Sequence, residues 1–289
     1  MFDFVHSLSA IFSNTPVIFI NFSAILGLLF GSFLNVVIYR MPKIMEREWH
    51  NNCLTLQGKE VPEQTPPSLS LPRSSCPKCN HSITALENIP IISYLFLGGK
   101  CKGCKTKISM RYPLVEALTG ALLGLIAYQF GYTYTTLFAW IFTLALITLT
   151  FIDYDTQLLP DDITLSLLWI GLLFNLNGGF TDLKSAVIGA IIGYLILWSI
   201  YWPFKIVTKK EGIGYGDFKL LAAIGAWFGW QLIPAVILLS SVLGAAIGIA
   251  LIAFKGKSGQ TAIPFGPFLA LGGIAALFFG QHLTSFYLV

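Results

Sequence analysis

ALTGALLGLIAYQFGYTYTTLFAWIFTLALITLTFID, residues 117–153, runs for 36 positions without an Asp, Glu, Lys or Arg and then ends on the carboxylate of Asp153. A helix needs roughly 20 apolar residues to cross the hydrocarbon of a bilayer. This one stretch is therefore long enough for two crossings, with the turn signal Phe130-Gly131-Tyr132-Thr133 between them. Such a helical hairpin returns the chain, and Asp153 with it, to the membrane face from which it left.

The same pattern extends in both directions. Charge-free runs also occupy 4–39, 163–181, 185–204, 220–254 and 258–289. Run 220–254 breaks at Gly229-Trp230-Gln231, and run 4–39 breaks at Ser13-Asn14-Thr15-Pro16, leaving one span after the proline. The expected spans are about 17–39, 113–130, 134–152, 162–179, 184–203, 217–229, 231–254 and 262–284. Of the 289 residues, 55% are hydrophobic and only 11% charged, where soluble domains carry about 25% charged residues. The fold class is thus an all-α polytopic membrane protein with about eight transmembrane helices. The N-terminus has no basic n-region and no small-residue cleavage site before Arg40, so it reads as a permanent anchor.

Orientation follows from the basic residues. With the N-terminus outside, segments 40–112, 153–161, 204–216 and 255–261 face the cytoplasm and hold 16 of the 18 Lys and Arg. The net charge of +4 follows this topology; it suits anionic headgroups and gives no reason to expect a nucleic-acid partner. Three parts result: an anchor helix in 1–40, a cytoplasmic insert in 41–112, and a membrane core in 113–289. Within the insert, Pro62 to Pro72 is rich in Pro and Ser and reads as irregular. No internal repeat is visible.

Cys76-Pro-Lys-Cys79 and Cys101-Lys-Gly-Cys104 form two C-x-x-C knuckles separated by 21 residues. Together they offer the tetrahedral sulfur set of structural zinc, with no open position for a catalytic water. The separation slightly exceeds that of common zinc ribbons, which a longer connecting loop absorbs. Two disulfides or a redox dithiol are the competing readings. A cytoplasmic location argues against the first, and the lack of a surrounding βαβ pattern against the second. Lys78, Lys100, Lys102, Lys105 and Lys107 would offset a four-thiolate centre. His81 reads as a bystander and Cys53 as a plain loop thiol.

Ionisable groups at the edge of a bilayer core are expensive and mark function by default. Asp153 ends the third span, and Asp217 opens the sixth in Gly214-Tyr-Gly-Asp217-Phe-Lys219. Two carboxylates sharing a site cannot both ionise easily, so one can serve as an acid while the other, as a base, activates water against an amide carbonyl. Gly214 and Gly216 would permit unusual dihedrals and close approach before Asp217. A bland alternative stays open at this point: Asp153 as an interfacial charge reaching for water. Asp161 or Asp162 is expected to cap the fourth helix after Pro160.

These motifs resemble the bacterial type IV prepilin peptidases, bifunctional leader peptidases and N-methyltransferases of the inner membrane. The resemblance runs through Gly31-Ser-Phe-Leu-Asn-Val-Val-Ile-Tyr-Arg40, both knuckles, Glu87-Asn-Ile-Pro-Ile-Ile-Ser-Tyr94, Arg111-Tyr-Pro-Leu-Val-Glu116, Asp153 with Leu159-Pro160, and Gly214-Tyr-Gly-Asp217. It implies that Asp153 and Asp217 are a catalytic pair facing the cytoplasm. Asp153 is preferred to Asp155 because the family's first aspartate stands seven residues before the proline. It implies that Cys76, Cys79, Cys101 and Cys104 bind zinc. The implied substrates are prepilins and type II secretion pseudopilins with short basic leaders, and the new N-terminus is then methylated from S-adenosylmethionine. The insert is associated with that methylation, and Gly99 and Lys100 are similar to the family's glycine-basic pair before the third cysteine. No Gly-rich nucleotide fingerprint marks the cofactor site. Two other readings make different predictions. A presenilin-like protease would lack the knuckle insert, and a cation-coupled transporter would show inverted repeats and midplane polar residues.

Overall fold

The computed structural model describes residues 10–61, 68–210, 212–255 and 263–285. Among the described residues, eight helices carry the chain: α1 Pro16–Leu56, α2 Arg111–Phe130, α3 Tyr134–Thr156, α4 Asp161–Asn175, α5 Leu183–Thr208, α6 Tyr215–Phe228, α7 Ile233–Lys255 and α8 Gly266–Ser285. Among the described residues there is no strand, only two isolated bridges in the cysteine insert. The breaks fall where the sequence places them. Thr15 leaves helical geometry and Pro16 opens α1, where its missing N–H costs nothing. Gly131, at φ +62°, ends α2. The helix α1 does not stop at Arg40 but continues to Leu56. Of the segment Pro62–Pro72, residues 62–67 lie outside the described residues and 68–72 are non-helical.

Among the described residues, six helices are long and apolar enough to cross a membrane: α1, α2, α3, α5, Trp230–Phe254 around α7, and α8. The other two are short, with 15 residues in α4 and 14 in α6. At 1.5 Å per residue each covers about 22 Å, less than the roughly 30 Å hydrocarbon core. The charge-free run 163–181 overstated α4 because it includes the uncharged turn Leu176–Thr181, whose Gly178 has φ +71°.

The chain divides into two compact units, 1–144 and 145–289. In the first, α1 packs on α2 through small residues. A Cβ on Gly27 would lie 2.8 Å from Gly120 Cα, and one on Gly31 would lie 2.7 Å from Glu116 Cα. Helices driven together by van der Waals packing rather than by water use such residues. Beyond this contact Asn35 donates to the Tyr112 carbonyl at 3.2 Å. Arg40 donates to the Ser68, Leu69 and Pro72 carbonyls, which fastens the start of the insert to α1.

In the second unit α6 is the centre. From Asp217 to Phe228 every residue but Lys219 is buried, as a helix that is apolar on all sides must be. It packs against α4, α5 and α8. Gly171 leaves room for the Trp227 ring, whose Nε1 donates to the Leu167 carbonyl at 2.8 Å. Asn175, 1% exposed at the end of α4, donates to the Ala226 and Trp227 carbonyls at 2.8 and 2.9 Å. It accepts from the Phe180 and Thr181 amides. Replacing Asn175 with Ala removes four hydrogen bonds and strands buried carbonyls. The expected loss is about 2–4 kcal/mol, seen as a lower melting temperature of the detergent-solubilised protein.

Candidate active site and metal centre

The insert is built from two copies of one backbone pattern, Ser74–Ile83 and Gly99–Ile108. Cys76 N donates to His81 O, and Cys101 N to Thr106 O; Asn80 N donates to Cys76 O, and Lys105 N to Cys101 O. Ile83 N reaches Ser74 O, and Ile108 N reaches Gly99 O. Asn80 and Lys105 take the same positive φ, 55° and 58°. The doubling is one of backbone hydrogen bonding and not of sequence. The two decapeptides share only the cysteines and the closing isoleucine, so the likeness lies in the backbone.

The fold of each knuckle turns its two thiols toward the other. Cys76 and Cys104 Sγ atoms are 3.7 Å apart, Cys79 and Cys101 Sγ atoms 3.9 Å, and all four lie within 4.8 Å of one another. Four sulfurs at 2.3 Å from a tetrahedral zinc stand about 3.8 Å apart, close to these two separations, so the donor set fits zinc. His81 is not needed as a ligand, since its Nε2 meets Glu87 Oε2 at 3.0 Å. Lys102 reaches the other Glu87 oxygen at 3.1 Å. Lys102, His81 and the Thr84 amide together hold the Glu87 carboxyl at about 2. Cys53 is exposed, outside the cluster.

Gly99 and Lys100 open the second knuckle. Gly99 has φ +65°, and a Cβ there would stand 2.8 Å from the Tyr94 hydroxyl oxygen, so both turn and neighbour require glycine. Lys100 is exposed.

Asp153 lies in the last turn of α3, 5% exposed, and its Oδ2 accepts from the Gly266 amide at 2.9 Å. Asp155, two residues on and so turned to another face, is exposed. Asp217 is the third residue of α6 and 7% exposed; its Oδ2 accepts from the Gly214 amide at 3.1 Å. Its Oδ1 is buried without a hydrogen-bond partner. Such a group in a folded protein calls for an explanation, and a position for water or substrate supplies one. The two carboxylates interact electrostatically.

Leu159 joins the two aspartate segments. A Cβ on Gly216 would meet Leu159 Cβ at 2.7 Å, and one on Gly266 would meet Leu159 Cδ2 at 3.2 Å and Asp153 Oδ2 at 2.6 Å. Gly216 is therefore glycine for close packing, and Gly266 for access to the carboxylate. The expected dihedral freedom of Gly214 and Gly216 is not used, since neither has a positive φ. Expected capping by Asp161 or Asp162 is also corrected. Pro160 holds the N-cap position of α4, and Asp161 instead accepts from Lys219 of α6 with both oxygens at 2.7 Å. Gly216→Ala is expected to push α6 off Leu159 and displace Asp217, an overpacking cost of about 1–3 kcal/mol that a lower melting temperature of the detergent-solubilised protein measures.

Residues 25–130 match the bacterial peptidase A24 N-terminal domain, and residues 140–249 match the type IV leader peptidase family. A prepilin leader peptidase/N-methyltransferase of Aeromonas hydrophila is 53% identical over 275 residues, which cover 94% of this chain and 95% of that one. The chain belongs to the type IV leader peptidase family. Proteins of the same description from Pseudomonas aeruginosa, 50% identical over 96% of each chain, and Neisseria gonorrhoeae, 51% identical over 87% of each, are further relatives. No solved structure matches. Membership of this peptidase family leaves the transporter reading without support.

Proposed function

We propose that this protein removes the leader from type IV prepilins and type II secretion pseudopilins and then methylates the new N-terminus. The observation that carries the cleavage is the pair of buried carboxylates, each held on one oxygen by a backbone amide, with Asp217 Oδ1 left for a further partner. One carboxyl protonates the departing amine while the other takes a proton from the attacking water. Gly266 and Gly214 orient the pair through their amides. The enzyme works in the bacterial inner membrane with this site at the cytoplasmic face, a placement supported by the 16 of 18 basic residues on that side. A scissile bond between a leader left in the cytosol and a helix in the bilayer lies at that level.

The chain works as three parts: the anchor in 1–40, the insert in 41–112 as the region serving methyl transfer, and the peptidase core in 113–289. S-adenosylmethionine supplies the methyl group, and the zinc held by Cys76, Cys79, Cys101 and Cys104 is structural. Gly99 and Lys100 belong to the methyl-transfer region, and Lys100→Ala, which leaves the turn intact, tests the second. The experiment for the whole reading incubates the detergent-solubilised protein with a prepilin and labelled S-adenosylmethionine, then sequences the product. A shortened, methylated N-terminus is expected; an uncut chain would refute it.

A further inference from the structure

The insert carries an apolar face that its own fold does not cover. In the single-turn helix Ile92–Phe96, residues 92, 95 and 96 share one side by helical spacing. Ile92 is 52% exposed, Leu95 71% and Phe96 88%. Ser93 and Tyr94, between these positions, are tied to the insert itself. Tyr94 donates to Met110 Sδ at 2.9 Å, and Ser93 donates to the Ile89 carbonyl at 2.7 Å.

The height of this helix is set by a carboxylate in α2. The Ile91 amide, at the unusual φ of +60°, donates to Glu116 Oε2 at 2.8 Å. Glu116 is buried and five residues past the start of α2, about 7.5 Å along its axis. Because α2 is itself long and apolar enough to span, the short helix is tied to the level at which α2 enters the apolar layer. The chain then continues from Gly98 to Arg111 with five Lys or Arg and no acidic residue.

We propose that Ile92–Phe96 lies in the interfacial layer of the bilayer, with Ile92, Leu95 and Phe96 among the acyl chains and the second knuckle on anionic headgroups. An apolar face continuous with a spanning helix and followed by a basic run is the pattern of an interfacial anchor. It holds the cysteine insert against the membrane surface, at the level from which α2 descends.

The test uses the full chain in vesicles of phosphatidylethanolamine and phosphatidylglycerol, doped with a phospholipid bearing a diazirine near the glycerol end of its acyl chain. After irradiation, trypsin cuts at Lys78 and Lys100 and releases 79–100, which contains the whole helix. That peptide is expected to carry label without any substrate present. Leu95→Glu with Phe96→Glu should cut the label at least about fivefold, and a zinc content of one per chain shows that the insert still folds. Phe96→Gln is the milder variant should the pair lose zinc. In phosphatidylcholine alone the labelling should fall at least about threefold. An unlabelled 79–100 beside labelled membrane helices would overturn the proposal. So would label that appears only when a prepilin is added, which would make this face a substrate site. Equal labelling in neutral lipid would overturn the headgroup contact.

Discussion

Replacing either Asp153 or Asp217 with Asn is expected to slow leader removal by at least about a thousandfold while leaving the protein folded and inserted. The reason lies in what asparagine keeps. Its amide oxygen can still accept from the Gly266 or Gly214 amide, so the ends of α3 and α6 stay fastened. What it loses is the ability to take or give a proton. Removing a buried carboxylate from an apolar site, moreover, relieves a desolvation cost. Each variant should therefore melt no lower than the parent, the usual trade of stability against activity at a functional site. Asp155→Asn is the internal control, because that side chain is exposed. It should change the rate less than about threefold, as surface substitutions do. A purified Asp153→Asn or Asp217→Asn protein that cuts prepilin at the parental rate would remove the proposed pair. The same variants also separate the two activities. Given a substrate already cut, both should still transfer the methyl group, since neither aspartate belongs to the region proposed for that step.

Much of this was legible from where charges are missing. A lack of Asp, Glu, Lys and Arg over 36 residues, broken at Phe130–Thr133, placed α2 and α3 and left Asp153 at an edge. That reading fails where an uncharged residue does polar work. Asn175 lies inside a charge-free run and was invisible to it, yet it makes two hydrogen bonds that tie α4 to the end of α6 and two that close the turn at Phe180 and Thr181. Gly266 was missed for a related reason. Its use depends on Asp153, 113 residues away, and Pro264-Phe-Gly-Pro267 offers only a turn signal. Glu116 was quoted within a motif, but nothing local says that its partner is the Ile91 amide. Helix length was misjudged for α4 because composition marks what is apolar, and the hydrogen bonds at Asn175 decide where the helix stops. The cysteine cluster was readable because ligand spacing is local, whereas the doubled backbone around it is not written in side chains.

Cys76→Ser or Cys101→Ser is expected to drop bound zinc from one per chain to a small fraction, by elemental analysis, and to open the insert to proteolysis. Between Ser68 and Ser109 the buried residues are Cys76, Pro90, Gly99 and Cys101 alone. So short a segment has almost no apolar core of its own, and small units of this kind need a metal or cross-link to fold. The free energy of zinc binding, about 10–16 kcal/mol in isolated zinc peptides, is here the folding energy of both knuckles. A chelator should act like the serine variants for the same reason. The helices should survive either treatment, because α1 and α2 are held by their own glycine packing and by Asn35 on the Tyr112 carbonyl. Far-UV circular dichroism should accordingly change little. Methyl transfer should fall with the metal, whereas leader cleavage should stay within about tenfold, since Asp153, Asp217, Gly214 and Gly266 all belong to 145–289. Cys53→Ser, at an exposed thiol outside the cluster, should affect none of these readouts. Protein purified without chelators that holds no zinc, or serine variants that keep it, would show that the four sulfurs meet for some other reason.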